Sequence, residues 1–168
     1  MTIKLFLFLS LIACDFTAEI KTLLSGYEWK LKPKSFLDRS EDTVSQLMDI
    51  SQSEQVRYHI RVRAIIALSL FKEERVIQFI EKQIDNQPQA ATLLRHVSSL
   101  SKLTSKDSDR FVRTAKKLIM NKDDQVRLSV AKGLKKINTR SSRSLLKVQA
   151  SNESNPAIKR FIENGRIY

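Results

Sequence analysis

Cysteine is nearly absent from this chain, occurring once at Cys14, and glycine and proline are scarce, at three residues each. A single thiol excludes an intrachain disulfide framework, and so few turn formers leave little room for β-hairpins, whereas abundant Leu, Ile, Lys, Arg, Gln and Glu favour helix. Histidine occurs only at His59 and His96, on different predicted helices and outside any metal spacing such as His-x-x-x-His. Nucleophile-elbow, phosphate-loop and dinucleotide glycine patterns are missing too, which points away from catalysis. Paired carboxylates do occur, Asp107 with Asp109 and Asp123 with Asp124. Each pair opens a predicted helix, where free N–H groups and the helix dipole favour acids without any chemistry. Long apolar stretches are also lacking: Leu5 to Leu9, resumed at Leu11, falls well short of the about 20 residues that cross a bilayer.

That short apolar run is nonetheless ordered. Met1-Thr2-Ile3-Lys4 supplies one basic residue, Leu5-Phe6-Leu7-Phe8-Leu9-Ser10 an apolar core, and Leu11-Ile12-Ala13-Cys14 ends it. This pattern resembles the signal peptide and lipobox of bacterial lipoproteins. The alternative is an ordinary signal peptide, for which Phe16-Thr17-Ala18 puts a bulky residue where a small one is wanted. The resemblance implies that residues 1–13 are removed, that Cys14 receives a thioether-linked diacylglycerol and becomes the first residue, and that it is then N-acylated. No cofactor is expected beyond these acyl chains. Two or three chains anchor firmly, because each buried methylene contributes about 0.8 kcal/mol and one chain alone is marginal. The protein is then expected on the exported side of a membrane, periplasmic or surface-exposed. Asp15 implies inner-membrane retention by analogy with enterobacterial lipoproteins, a rule that varies among bacteria and leaves the choice of membrane open.

Beyond the anchor the periodicity is helical. Ser40 is placed to cap a helix through Ile50, and Ser53 a longer one to Phe71. Val76, Phe79, Ile80 and Ile84 make a stripe, Asp85 to Pro88 breaks it, and Leu93, Val97 and Leu100 mark the next helix to Leu103. Ser105 or Asp107 opens another through Ile119, Asn121-Lys122-Asp123 is a turn, and Pro156 suits the first turn of a last helix. Val62-Arg63, Leu94-Arg95, Val126-Arg127 and Ile158-Lys159 recur every 32 residues, aligning Ile66, Ser98, Val130 and Ile162. The copy Asp123 to Ile137 resembles the second helix of a HEAT or HEAT-like repeat. The resemblance implies an all-α fold, a short right-handed solenoid of about three to four helical hairpins spanning residues 40–168. Gln55-Val56-Arg57 offers a second register for the first copy, and Ser98, Ser99 and Lys102 depart from the family's small or apolar preference. By the same resemblance Arg63, Arg95 and Arg127 are structural, with Arg127 in reach of Asp123 and Asp124 on its own helix. Residues 14–39 are too apolar for a flexible tether and are expected to cap the array, with Tyr27, Trp29 and Leu31 alternating as in a strand.

Charge divides the chain. Residues 101–168 hold 17 Lys or Arg against 6 Asp or Glu, whereas residues 1–100 hold 13 against 12. Lys116, Lys117, Lys132, Lys135, Lys136, Arg140 and Arg143 are the candidate binding residues, with Arg113 and Lys147 beside them. A solvated surface that keeps the array soluble is the plain alternative. If the cluster binds, an exported location selects an acidic protein or an anionic surface as partner, with the membrane reached through the lipid anchor. Nucleic acid requires a cytoplasmic chain, and the basic half lacks interleaved aromatics for stacking bases. The expected function is therefore a lipid-anchored, non-catalytic protein-interaction scaffold. The competing reading is a cytoplasmic HEAT-like protein that binds DNA or another polyanion.

Overall fold

The structure, a computed structural model, describes residues 18–39, 42–86 and 89–165, and all regular secondary structure among them is helical. Leu11-Ile12-Ala13-Cys14 lies outside the described residues, as do Ser40, Gln87 and Pro88. The chain divides into two compact units at Phe71 and Lys72.

In the first unit, α1 (residues 18–25) and α2 (Lys34–Leu37) bury Ile20, Leu24 and Phe36, while α3 (Asp42–Gln52) packs on α4 (Tyr58–Leu68). Helix α4 starts later than Ser53, because 53–57 is a turn in which the Val56 N–H donates to the Ser53 carbonyl at 3.0 Å. Nor does α4 reach Phe71; it ends at Leu68 in a tight turn, with Leu70 N–H on the Ala67 carbonyl at 3.0 Å. The expected strand at Tyr27–Lys32 is instead a turn followed by irregular chain, with Tyr27 fully exposed. A lone strand would leave its backbone N–H and C=O groups unpaired. Trp29 folds back, donating from Nε1 to the Leu23 carbonyl at 3.0 Å. Arg63 closes this corner, its guanidinium 5.3 Å from the Trp29 ring and donating to the carbonyls of Leu24 and Gly26 at 2.6 and 2.8 Å. Trp29 and Arg63 thus satisfy the open C-terminal end of α1.

The second unit holds α5 (Glu74–Asp85), α6 (Ala90–Leu103), α7 (Ser108–Leu118), α8 (Asp124–Ile137), α9 (Arg140–Asn152) and α10 (Pro156–Asn164). Their starts are written in the sequence: Asp107, Asp123, Thr139 and Asn155 each accept a hydrogen bond from a backbone N–H of the following first turn. Asn138 (φ 52°) and Gly165 (φ 74°) end α8 and α10 in the left-handed region. Helix α6 packs on α8 and α8 on α10, while α5, α7 and α9 lie against α6, α8 and α10 respectively.

Burial corrects the register of the 32-residue spacing. In α6 Leu93 and Val97 are buried, one position before the expected Leu94 and Ser98, which are only half-buried, whereas Val126, Val130, Ile158 and Ile162 are all buried as aligned. The spacing of 32 residues therefore holds from α8 to α10, and α6 is offset by one. In α4 the buried positions are Ala64, Ile65, Ala67 and Leu68, and Val62 and Ile66 are only half-buried.

A polar knot holds α8 to the hairpin that follows. Arg127, 9% exposed, donates from Nε and Nη2 to both carboxylate oxygens of Glu153 at 2.9 and 2.7 Å, from Nη2 to Asp124 at 2.6 Å, and from Nη1 to the Asn121 carbonyl at 2.8 Å. Asn155 donates to Asp124 at 2.6 Å, and buried Gln149 to the Arg127 carbonyl at 2.9 Å. The expected partner Asp123 is not used, since its carboxylate caps α8. Arg110 makes a second clamp, a fork onto both oxygens of Glu81 at 2.7 Å and onto Glu74 at 2.8 and 2.9 Å, tying α7 to α5. Arg95 is exposed and joins no such network among the described residues, so the structural role expected of it does not hold.

Candidate binding surface

Of the six acids in residues 101–168, Asp107 and Asp123 cap helices, and Asp124 and Glu153 belong to the Arg127 knot, which holds both carboxyls below their usual range. For Asp124 the Asn155 amide is the largest cause, and for Glu153 it is the Arg127 guanidinium. Asp109 and Glu163 have neither of these roles, and with 17 cations against six acids the segment keeps a large positive surplus.

That surplus is not uniform between the helices. Helices α6 and α9 contain no acid, and α8 and α10 contain only Asp124 and Glu163. The exposed positions of α6, α8 and α10, which pack side by side, carry Arg95, Lys102, Lys132, Lys136, Lys159 and Arg160. Among the described residues, none of these six forms an ion pair. Helix α5 behaves oppositely, with Glu74, Glu81 and Asp85 engaging Arg110 and Lys117 of α7.

The seven candidate cations separate accordingly. Lys132 and Lys136 fall on the unpaired row. Lys116 is exposed on α7, and Lys117 is held by Asp85 at 2.7 Å, so the α7 pair stands apart from that row. Lys135 and Arg143 meet at a groove of about 490 Å3 between the end of α8, the stretch of α9 from Arg143 to Ala150 and the end of α10, with Arg140 exposed nearby at the start of α9. The floor is Leu146, Ala150 and Ile162, the basic rim is Lys135, Arg143 and Lys147, and Glu163 is the one acid along it. Two of the rim cations are pre-positioned. Lys135 Nζ stands 5.2 Å over the Phe161 ring, and Arg143 donates to the Asn138 carbonyl and side-chain oxygen at 2.8 and 3.2 Å, against the left-handed cap of α8. Sequence reasoning missed Arg95, Lys102, Lys159 and Arg160; the signal for them was the alternation of acid-rich and acid-poor helices, visible only once the helices are paired.

His96, beside the Leu93 stripe, is 4% exposed. Burial pushes its imidazole down to about 4, partly offset by the Thr92 backbone, so the ring is neutral at pH 7. His59 is exposed on α4. Among the described residues no group of three or more His, Cys, Asp or Glu is arranged to hold a metal ion, and no helix is long and apolar enough to cross a membrane. No family model matches the chain, and no curated protein matches it.

Proposed function

We propose that this chain is an exported lipoprotein, tethered through acyl chains on Cys14, whose helical hairpins form a short right-handed HEAT-like solenoid serving as a non-catalytic docking platform for an acidic partner protein. The observation that carries the binding role is the segregation of charge: the exposed residues of α6, α8 and α10 present unpaired cations while the acids nearby are spent on caps and on Arg127. The row α6, α8, α10, with α5, α7 and α9 against it, supports the solenoid, since hairpins that cannot cover their own apolar stripes stack on their neighbours. The tether is supported by Leu11-Ile12-Ala13-Cys14 after its short apolar core.

Reversing Lys132, Lys135 and Lys136 to Glu tests the binding role by capture of partners from detergent-solubilised membranes. Capture falls at least tenfold at low ionic strength, and raising the salt toward 1 M, where the Debye length is about 3 Å, weakens the wild type to the same level. Capture that is unchanged by the reversal leaves only a solvated surface.

A further inference from the structure

The groove beside the basic row goes further than a general attraction for acids. We propose that it seats an amphipathic acidic helix of the partner, which lays an apolar stripe on Leu146, Ala150 and Ile162 and pairs its carboxylates with Lys135, Arg143 and Lys147. This rests on the docking role proposed above and names the element docked.

Three features select a helix among the anionic partners. The cleft is apolar at its floor and basic at its rim, so its complement is apolar along one line and acidic on both sides. It runs along α9 from Arg143 to Ala150, seven residues or about 10 Å of helix rise, which matches two turns of a partner helix with anchors at i, i+3 or i+4, and i+7. It is an open furrow and not an enclosed tunnel, so an acyl chain lying in it would keep one side in water, whereas a helix covers the floor with one face and stays solvated on the other. The rim is also pre-organised: Phe161 holds Lys135 and Asn138 holds Arg143, so docking freezes few rotamers. Glu163 on the rim repels a carboxylate placed against it, which sets the direction of the bound stripe.

The test selects, on the intact protein, a phage-displayed library of 16-residue helices with randomised surface positions, and measures the winners as synthetic peptides by fluorescence anisotropy. The expected winners carry apolar residues at i, i+3 or i+4 and i+7 flanked by Asp or Glu, and their affinity drops at least tenfold on Lys147→Glu and on Ala150→Phe, which fills the floor. Both sites are clear of the main core, and circular dichroism melts of the variants should match the wild type. Winners that are acidic but unpatterned overturn the proposal, as do winners that lose affinity on Lys132→Glu with Lys136→Glu but keep it on Ala150→Phe. The second result places binding on the flat basic row and leaves the docking role itself intact. Capture of phosphatidylglycerol vesicles through the groove residues, with no peptide selected, also overturns it in favour of lipid.

Discussion

Arg127→Met is expected to cost about 3–5 kcal/mol of unfolding free energy at pH 7, because it removes one partner from a buried ion pair and leaves the other charged. Glu153, whose side chain has no exposed surface, would keep its carboxylate with only the Asn155 N–H at 2.9 Å in support. The Asn121 carbonyl and Asp124 lose a donor in the same step. Urea unfolding measures the loss, and a cost under about 1 kcal/mol would contradict the knot as the tie between α8 and the α9–α10 hairpin. The double variant Arg127→Met with Glu153→Leu recovers most of it, since a buried pair replaced by apolar groups of similar volume is often neutral.

The sign of the pH dependence follows from Glu153. Its carboxyl is held down in the folded protein by the Arg127 guanidinium, so its contribution is present above the ordinary carboxylate pKa and is lost as pH falls through the lowered folded value. His96 acts earlier: its folded pKa of about 4 lies below the ordinary 6.5, so stability already declines as pH falls from 6.5 toward 4. In Arg127→Met the direction at Glu153 reverses, because a buried carboxylate without its cation prefers the proton. The penalty of the substitution is therefore largest near neutrality and shrinks in acid.

Gly133→Val is expected to cost about 3 kcal/mol, at the upper end of overpacking penalties. A Cβ built at Gly133 stands 2.7 Å from Cε1 of Phe111, closer still to Cζ, and 3.1 Å from Cβ of Ser101, where α8 crosses α6 and α7. The ring cannot swing aside into solvent, since Phe111 is 1% exposed. Even Gly133→Ala destabilises, although Ala exceeds Gly in helix propensity by about 1 kcal/mol. Phe111→Leu, harmful alone, recovers part of the loss in the Gly133→Val background, a coupling that thermal or urea unfolding reads as a double-mutant cycle. Additive losses would show that the two sites do not meet.

These two sites also show where the sequence was legible. Helix starts at Asp123 and Pro156 could be placed from the sequence, and a third was narrowed to Ser105 or Asp107, of which Asp107 is the cap, because capping is local chemistry within a few residues. The stripe Val76, Phe79, Ile80 and Ile84, buried except for a half-buried Phe79, and the buried Val126 and Val130 were equally plain, since a period near 3.6 needs only one helix to declare itself. What failed was non-local. The partner of Arg127 is 26 residues away, and its one sequence mark was that Glu153 is the only acid between Asp124 and Glu163. The alternation at Tyr27, Trp29 and Leu31 imitated a strand, yet the Leu23 carbonyl and Arg63 drew Trp29 into a corner instead. The cluster of seven cations was legible as composition, but its division among the groove, the α6–α8–α10 row and the Asp85 pair required knowing which helices face one another.

The tethered platform is tested most directly by the mass of the mature N-terminal peptide from cells labelled with palmitate. The account predicts a chain that begins at Cys14, bears a diacylglycerol on sulfur and an acyl group on its amine, and loses all label in Cys14→Ser. An unlabelled chain that starts at Met1 and stays in the soluble fraction would contradict it.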